Sequence, residues 1–278
     1  MKTKNIFFGL VLSLFLISCH KDEIIPTIGE DDVATDIGLQ EMSEDVNAEI
    51  ISQTQRNLAP LLLGTPITQS CPKITTTATP MDVLLSKPIK IKYDYGTGCT
   101  NSDNKYYEGI INVTLSDYIY DALAGTFSKY TLECEYINFA NTKYKLNGTS
   151  NIANLNQTWT IGFNHTAIAL LSSKTYTRIG SQIREYTKGI TPNEDKVKIT
   201  GNWVTTTEKG AHNVKITTPF IIDFSCEYKA KEGVMTITRA SSTAIIDYGY
   251  KKDPLKDCDN WYQLTINKFS PLYLQFGI

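Results

Sequence analysis

The strongest constraint on the fold is a strand-then-turn element that occurs twice in the sequence. In the first copy, apolar residues alternate with lysines over residues 89–93, and Asp94-Tyr95-Gly96 follows. Alternation with a period of two places the apolar side chains on one face of a strand, and the glycine lets the backbone turn. The second copy spans residues 243–246 and continues into Asp247-Tyr248-Gly249. The repetition predicts β structure at both places and a degenerate internal duplication.

Short alternating runs continue from Cys71 to the end of the chain, with Gly, Pro, Asn and Asp between them. Runs of this length with turn residues between them are typical of antiparallel all-β domains. Asn147-Gly148 and Gly180-Ser181 are predicted as hairpin turns, and so is the segment 206–210. The sequence therefore predicts antiparallel strands that form a sandwich or a strongly curled sheet.

One segment before the β region has a helical pattern. Ile37, Met42, Val46 and Ile50 recur near helical spacing through about residue 57, with glutamates on the other face, and Pro60 and then Gly64-Thr65-Pro66 are expected to end the helix. We expect one N-terminal amphipathic helix. It could dock on the sheet or bind a partner, and docking is the commoner outcome.

The N-terminus carries a targeting signal. Lys2 and Lys4 precede an apolar run over residues 7–17, which is too short for a comfortable membrane span. The run ends in Leu16-Ile17-Ser18-Cys19, which resembles the bacterial lipobox, where cleavage precedes a lipidated cysteine. We expect Cys19 to carry the lipid anchor.

The residues after the anchor add an expectation about localisation. Lys21-Asp22-Glu23 resembles the surface-export signal of Bacteroidota lipoproteins. The sequence therefore predicts an outer-membrane lipoprotein, with exposure at the cell surface as the further expectation. We expect the protein to contact the membrane through the lipid on Cys19.

Charge is divided unevenly along the chain. Residues 20–50 carry ten acids and one base, whereas residues 51–278 carry 24 Lys and Arg against 19 Asp and Glu. The overall charge of −2 gives no reason to expect a nucleic-acid partner. The predicted organisation is a signal peptide (1–18), an acidic tether (19–35), a helix with its linker (36–64) and an all-β domain (65–278).

The cysteines suggest two disulfides, because an exported protein meets an oxidising environment. Cys71 and Cys99 flank the first Asp-Tyr-Gly element, and Cys226 and Cys258 flank the second. The simplest pairing is therefore Cys71–Cys99 and Cys226–Cys258. Cys134 lies on the apolar face of a predicted strand and is expected to be a buried free thiol.

Several patches resemble one family. They are Tyr-Asp-Tyr-Gly-Thr-Gly-Cys at residues 93–99, Lys-Ile-Thr-Thr-Pro at 215–219 and Ile-Asp-Tyr-Gly at 246–249. Together they resemble a family of Bacteroidota lipoproteins that has no assigned function, in patches from Cys71 to Ile266. The resemblance implies an envelope location and a β fold but no activity. Residues 250–257 replace the compact glycine-rich turn that such proteins usually have near the second element.

Catalytic and metal-binding motifs are missing from the sequence. His20, His165 and His212 are isolated, and no zinc-protease, nucleophile-elbow or phosphate-loop pattern occurs. The segment 101–104 is rich in oxygen ligands that calcium could use, but it does not match an EF-hand. We therefore expect no cofactor and no metal.

Asp94 and Asp247 occupy matching places in the two copies and allow two interpretations. They could meet across a pseudo-twofold axis and act as the carboxylate pair of a glycan-processing hydrolase. Alternatively, each aspartate could accept hydrogen bonds from its own glycine-containing turn. The second interpretation is favoured because Asp-Tyr-Gly is itself a turn sequence, so the chain is not expected to be an enzyme.

The three tryptophans raise the question of a sugar-binding surface. Trp159 alternates in phase with Ile161 and Phe163, which favours a core position. Trp203 and Trp261 follow asparagines at predicted strand starts, where exposure would allow sugars to stack on them. The expected function is non-catalytic. The protein either binds a ligand, which is a glycan or a protein, or has a structural role in the envelope. The alternative is the glycan-processing hydrolase.

Overall fold

The fold is one antiparallel sheet combined with one long helix. A computed structural model describes residues 27–62, 70–121, 126–191, 194–226, 230–250 and 261–275. Each of thirteen strands pairs with the next in sequence, so the strand order is β1 to β13 without a crossover. The predicted antiparallel β class and the N-terminal helix are confirmed. The strands are β1 (Lys73–Thr76), β2 (Ile89–Thr100), β3 (Tyr106–Asp121), β4 (Thr126–Ala140), β5 (Tyr144–Leu155), β6 (Thr158–Ala169), β7 (Thr175–Thr187), β8 (Lys196–Thr207), β9 (Gly210–Asp223), β10 (Ala230–Arg239), β11 (Ser242–Asp247), β12 (Trp261–Ile266) and β13 (Leu272–Gln275).

Two helices accompany the sheet. The helix α1 (Glu30–Leu62) precedes all strands, and the five-residue α2 (Pro80–Leu84) connects β1 to β2. Thr79 caps α2 by accepting a hydrogen bond from the backbone of Asp82 and receiving one back from its side chain. Within the described part of the chain, no helix is long and apolar enough to cross a membrane.

Consecutive antiparallel pairing gives the sheet two distinct ends. The hairpins that follow even-numbered strands, such as β2–β3 and β6–β7, lie at one end, and those that follow odd-numbered strands lie at the other. Lys105, Lys143 and Lys209 all belong to the first set of hairpins, and all three contact carboxylates of α1. We call this end of the sheet the helix end and the opposite one the far end.

Two predicted hairpins are wrong, because both lie inside continuous strands. Gly148 is part of β5, where its φ of 125° accompanies a shift in the register between β4 and β5. Gly180 is part of β7, and a Cβ there would approach the Cβ of Trp203 to 2.4 Å. These glycines allow a bulge and a close approach between strands, whereas turn prediction assumes that the strand ends. The turn predicted near residues 206–210 is confirmed as the β8–β9 connection.

The core consists of the residues that alternate along one face of the sheet. In β2, Ile89, Ile91 and Tyr93 are buried, while the lysines between them are exposed or half-buried. Tyr107 and Phe139 stack with their ring centres 5.2 Å apart near the helix end. The predicted alternation in the first strand-and-turn element is therefore what builds the core.

The acidic tether is shorter than predicted, because α1 begins at Glu30 rather than near residue 36. Acidic side chains in the first turn of a helix interact favourably with its dipole, and Asp32 accepts a hydrogen bond from the N–H of Gly29 at 3.0 Å. Ile28 is also buried, and its N–H donates to Ser242 Oγ at 3.0 Å. Residues 27–35 therefore belong to the folded domain. The signal peptide and the rest of the tether lie outside the described residues.

The helix docks on the sheet, and its polar face is buried as well as its apolar one. Met42, Val46 and Ile50 are buried as predicted, but Glu49 and Gln53 are buried too. The exposed positions between residues 30 and 57 form a narrow set: Glu30, Asp31, Ala34, Ala48, Gln55 and Arg56. The predicted docking on the sheet therefore includes the polar face, which meets polar groups of the strands.

From its start to its end, the helix α1 crosses the strands in the reverse of their order in the sequence. Near its start, Asp32 contacts Arg239 of β10, and one turn later Asp36 contacts β8 and β9. Gln40 then contacts β7, and Glu49 reaches Tyr95 of β2 at 2.7 Å. A single helix thus connects strands that lie far apart in the sheet.

Candidate functional site

The two Asp-Tyr-Gly elements share one hydrogen bond but differ in backbone structure. The turn predicted at Gly96 is wrong, because Asp94 and Gly96 lie inside the continuous strand β2 at a shift in its register with β3, whereas Asp247 ends β11 and a turn follows it. Asp94 Oδ1 accepts a hydrogen bond from the N–H of Gly96 at 3.0 Å, and Asp247 Oδ1 accepts one from the N–H of Gly249 at 2.8 Å. Asp94 also forms an ion pair with Lys92 at 2.8 Å. The hydrogen bond from Lys92 and that from the Gly96 backbone hold the pKa of Asp94 below its usual value, against a smaller effect of desolvation.

These two aspartates are not brought together by strand pairing. Asp94 lies on β2 and Asp247 on β11, with eight strands between them in the sheet. A catalytic carboxylate pair needs one acid with a raised pKa beside an ionised one. Asp94 has its pKa shifted downwards and holds a bulge inside β2, and Asp247 holds the turn that follows β11. The geometry therefore gives both aspartates a role in the local backbone structure.

Trp203 is only 2% exposed, so the expectation that it offers a sugar-stacking surface is wrong. Its indole lies under the guanidinium of Arg178, with 4.1 Å between the Arg178 Cζ and the ring centre. Gly180 on the neighbouring strand leaves the room that this large side chain requires. Trp261 begins β12 and is half-buried. Trp159 packs partly against the core, as predicted, and donates to Tyr130 Oη at 2.8 Å.

His165 forms a serine–histidine contact that the sequence pattern does not reveal. Its Nε2 lies 2.9 Å from Ser150 Oγ on the adjacent β5, and both residues are buried. Burial, and then the nearby charge of Arg178, lower the pKa of His165 to about 3. A general base works best with a pKa near the operating pH, so this imidazole is a poor one. Pairing across β5–β6 could have suggested the contact, had the register been known.

His212 belongs to a buried network between α1 and the sheet. Its Nε2 donates to Asp36 Oδ2 at 2.5 Å, and its Nδ1 accepts from Arg239 at 2.9 Å. The network assigns the imidazole proton to Nε2, because the carboxylate can only accept and the guanidinium can only donate. Both ring nitrogens are therefore occupied by structural partners, which leaves no lone pair to activate a nucleophile.

The same network fixes the start of the helix. Arg239 binds Asp32 through two hydrogen bonds of 3.0 and 3.2 Å, and both side chains are buried. Although burial acts to raise the pKa of Asp32, the bonds from Arg239 and the Gly29 backbone lower it below the usual value. Removing one partner of such a buried pair leaves an uncompensated charge. This cluster therefore has a structural role, because it fixes the start of α1 to the sheet.

A further polar contact holds the middle of the helix. Arg178 donates to the carbonyl of Leu39 at 3.2 Å and to Gln40 Oε1 at 2.5 Å, and Gln182 donates to the same Gln40 oxygen at 2.7 Å. Burial lowers the pKa of Arg178 to about 10. Sequence reasoning misses this cluster because arginines on strands usually face water.

The cysteine predictions are confirmed as far as the described residues reach. Cys71 and Cys99 form a disulfide, and Cys134 is a buried free thiol. Burial raises the pKa of the Cys134 thiol well above its usual value, which makes it unreactive. Cys226 lies at the end of a short 3-10 turn after β9, and Cys258 lies outside the described residues. The second disulfide, Cys226–Cys258, therefore stays a prediction. The lipidation of Cys19 also stays a prediction, because Cys19 lies outside the described residues.

The segment 101–104 uses its oxygens within the protein. Asn101 Oδ1 accepts from the N–H groups of Asp103 and Lys105 at 3.0 and 2.9 Å, and its Nδ2 donates to Glu49. Asp103 forms an ion pair with Arg56 at 3.3 Å. Among the residues that the structure describes, no group of three or more His, Cys, Asp or Glu side chains could hold a metal ion.

The outer face of the sheet, which points away from α1, carries an open polar depression across β3 to β6. Its volume is about 570 Å³. Asn112 donates to Glu135 at 2.9 Å on one side, and Gly162 leaves the floor free, since a Cβ there would meet nothing within 4 Å. The outward side chains that line it are those of Asn112, Thr114, Glu133, Glu135, Thr149, Asn151 and Asn164. A concave surface rich in amides, hydroxyls and carboxylates can bind a polar ligand by hydrogen bonds.

Comparisons with family models, with curated proteins and with solved structures found no match to this chain.

Proposed function

We propose that this protein is an outer-membrane lipoprotein, anchored through Cys19 and exposed on the cell surface, whose β domain acts by non-catalytic binding or as a structural part of the envelope. The targeting signal and the resemblance to uncharacterised Bacteroidota lipoproteins support the location. The single observation that carries the binding role is the polar depression on the outer face, because its side chains are open to a ligand.

A glycan is the ligand that this depression fits best. Glycans present many hydroxyl groups, which pair with amide and carboxylate side chains such as Asn151, Asn164 and Glu135. No aromatic ring with an exposed face lines the depression. Binding would therefore depend on hydrogen bonds more than on stacking, and a protein segment rich in polar side chains is the other candidate ligand.

The hydrolase has less support than the binding role. Asp94 and Asp247 each accept a hydrogen bond from the backbone of their own glycine, and both nitrogens of His212 are occupied. Ser150 and His165 are buried, and the low pKa of His165 weakens it as a base.

We also infer that the sheet is strongly curled around α1. Glu41 of the helix binds Lys143 in the β4–β5 hairpin at 3.3 Å. Burial, followed by the charges of Glu41 and Glu30, raises the pKa of Tyr262 on β12. One helical side chain is therefore close to two strands that lie far apart in the sheet, which a curled sheet explains better than a flat one. The matching hydrogen bonds from Gly96 to Asp94 and from Gly249 to Asp247 support an ancient duplication.

Metabolic labelling with a palmitate analogue tests the anchor. We expect the full-length protein to take up the label and to sediment with membranes, and Cys19→Ala to do neither. Cys134→Ala is the matched control, because a buried thiol in the β domain should not affect labelling. Label that persists in Cys19→Ala would refute the anchor.

A glycan array tests the binding role with the full-length lipoprotein in detergent. We expect bound glycans to be lost in the double variant Asn151→Ala/Asn164→Ala, because both amides line the depression. Asn213→Ala is the matched control, since Asn213 is an exposed outward residue on β9, away from the depression. Binding that survives the double variant, or an array without hits, would reject the glycan version and leave a protein partner or a structural role.

A further inference from the structure

The helix end of the sheet carries two apolar hairpin tips that the proposed function does not use. Leu171 in the β6–β7 hairpin is fully exposed, Leu170 beside it is exposed, and Phe269 in the β12–β13 hairpin is 73% exposed. Hairpin tips usually carry Gly, Asn, Asp, Ser and Pro. The β2–β3 hairpin at this end follows that rule with Asn101-Ser102-Asp103-Asn104, and the β8–β9 hairpin carries the charged pair Glu208-Lys209.

Both tips are held in defined conformations. The N–H of Ser173 donates to the carbonyl of Ala169 at 2.8 Å, and the N–H of Leu170 donates to Lys143 of the neighbouring hairpin at 2.9 Å. In the other tip, the N–H of Phe269 donates to the carbonyl of Ile266 at 3.1 Å. Because the backbone of each tip is already ordered, it loses little conformational freedom when a second surface covers the tip.

The chain before the helix enters the domain at this same end. Ile28 is fixed to Ser242, which begins β11 next to the β10–β11 hairpin, and this hairpin belongs to the helix end. Cys19 and Ile28 are nine positions apart, and the chain between them spans at most about 30 Å when fully extended. A strand of twelve residues is about 40 Å long. An anchor at Cys19 therefore cannot reach past the far end, which leaves the helix end and the sides of the domain, and the apolar tips favour the helix end.

We propose that the tips Leu170-Leu171 and Phe269 insert into the bilayer that holds the Cys19 lipid, and so orient the domain on the membrane. This inference rests on the proposed lipid anchor. Lys268 precedes Phe269, where its ammonium group would meet the headgroup region. The orientation directs the far end away from the bilayer and leaves the outer-face depression on the side of the domain, where a ligand can reach it.

Depth-dependent quenching tests this contact. The full-length lipoprotein carries an environment-sensitive dye on Leu171→Cys and is reconstituted into phosphatidylethanolamine–phosphatidylglycerol vesicles that contain a spin-labelled lipid. Leu155→Cys is the matched control, because Leu155 is a similarly exposed leucine next to a hairpin tip at the far end. Labelled wild-type protein corrects for reaction at the native cysteines. We expect quenching at position 171 to be at least about twice that at position 155, as for a side chain buried in the headgroup boundary.

Vesicle flotation of the same samples separates the anchor from the docking. Protein that floats with the vesicles while positions 171 and 155 are quenched equally overturns the docking and leaves the anchor standing. Protein that carries no lipid and does not float overturns the anchor, and the docking with it. If the dye at position 171 becomes shielded in proportion to protein concentration without vesicles, the tip binds a second copy and the lipid assignment is wrong.

Discussion

Asp36 accepts three hydrogen bonds from two strands: from Thr205 at 2.6 Å, from His212 at 2.5 Å and from Trp203 at 3.4 Å. The side chains of Asp36 and His212 are fully buried. In Asp36→Ala these donors lose their acceptor inside the protein, and we expect a loss of about 3–5 kcal/mol of unfolding free energy. Urea denaturation measures the loss. Asp31→Ala on the same helix is the control, because Asp31 is 84% exposed and should show no measurable change.

His165 should make the stability of the domain depend on pH. Its surroundings are Ser150 of β5, Tyr136 of β4, Phe163 of β6 and Arg178 of β7. Its pKa is about 3 in the folded state. The unfolded chain binds a proton below about pH 6.5, so stability is lost as the pH falls, by about 2 kcal/mol between about pH 6.5 and pH 5.

The variant His165→Gln isolates this contribution. The difference in unfolding free energy between wild type and variant should shrink as the pH falls through that interval, because glutamine does not titrate. Unfolding curves at a series of pH values measure it. A difference that stays constant with pH would contradict the burial of a neutral imidazole.

Single residues show why much of the interior could not be predicted. The acidic run that starts at Glu30 reads as a solvated tether, because segments of high charge and few apolar groups usually stay unfolded. The partners that hold these acidic residues in the folded domain lie far away in the sequence. Arg239 is 207 residues from Asp32, and His212 is 176 residues from Asp36. Local pattern carries no information on such pairs. The hydrogen bonds that Asp94 and Asp247 accept from their own glycines are predictable, since they depend only on the next two residues, but the continuation of β2 past Gly96 is not.

At the scale of elements, the disulfide is the strongest local constraint on the start of the sheet. It closes a loop of 28 residues that contains α2 and most of β2. The double variant Cys71→Ala/Cys99→Ala should lose about 3 kcal/mol, because the unfolded chain regains the entropy of that loop. Denaturant unfolding measures the loss.

Two comparisons make the disulfide test specific. Cys134→Ala removes a buried thiol without opening a loop and should retain the response of the wild type to a reducing agent. The double variant should respond less to reduction than the wild type does. An equal response in both would indicate that the Cys71–Cys99 bond contributes nothing to stability.

Strand existence was easier to predict than strand length. Period-two alternation marks a strand with one buried face, and it correctly predicts that β2 and β6 are strands. The same reasoning places strand ends at Gly148 and Gly180, because a glycine usually marks a turn. Their actual reasons, a bulge and the bulk of Trp203 on the neighbouring strand, depend on the pairing of strands.

At the scale of the whole molecule, α1 ties the sheet into one cooperative unit. It contacts strands from β2 to β10, so loss of the helix removes buried partners throughout the core. The sequence predicts a helix and a sheet but not that the sheet depends on the helix, because the partners of the helix's polar face lie far away in the sequence. The consequence is that helix and sheet should unfold together.

Ala48→Pro tests this coupling, because Ala48 is exposed and its replacement removes no packing. Proline in the middle of a helix costs about 3 kcal/mol or more, whereas Ala48→Gly, the control, costs about 1 kcal/mol. We expect the transitions seen by far-ultraviolet circular dichroism and by tryptophan fluorescence to move together to lower denaturant. Trp203 reports on the helix contact, and Trp159 on strand β6, through its bond to Tyr130. If helical signal disappears first while Trp159 fluorescence keeps its native value, the helix is an independent element and the coupling is wrong.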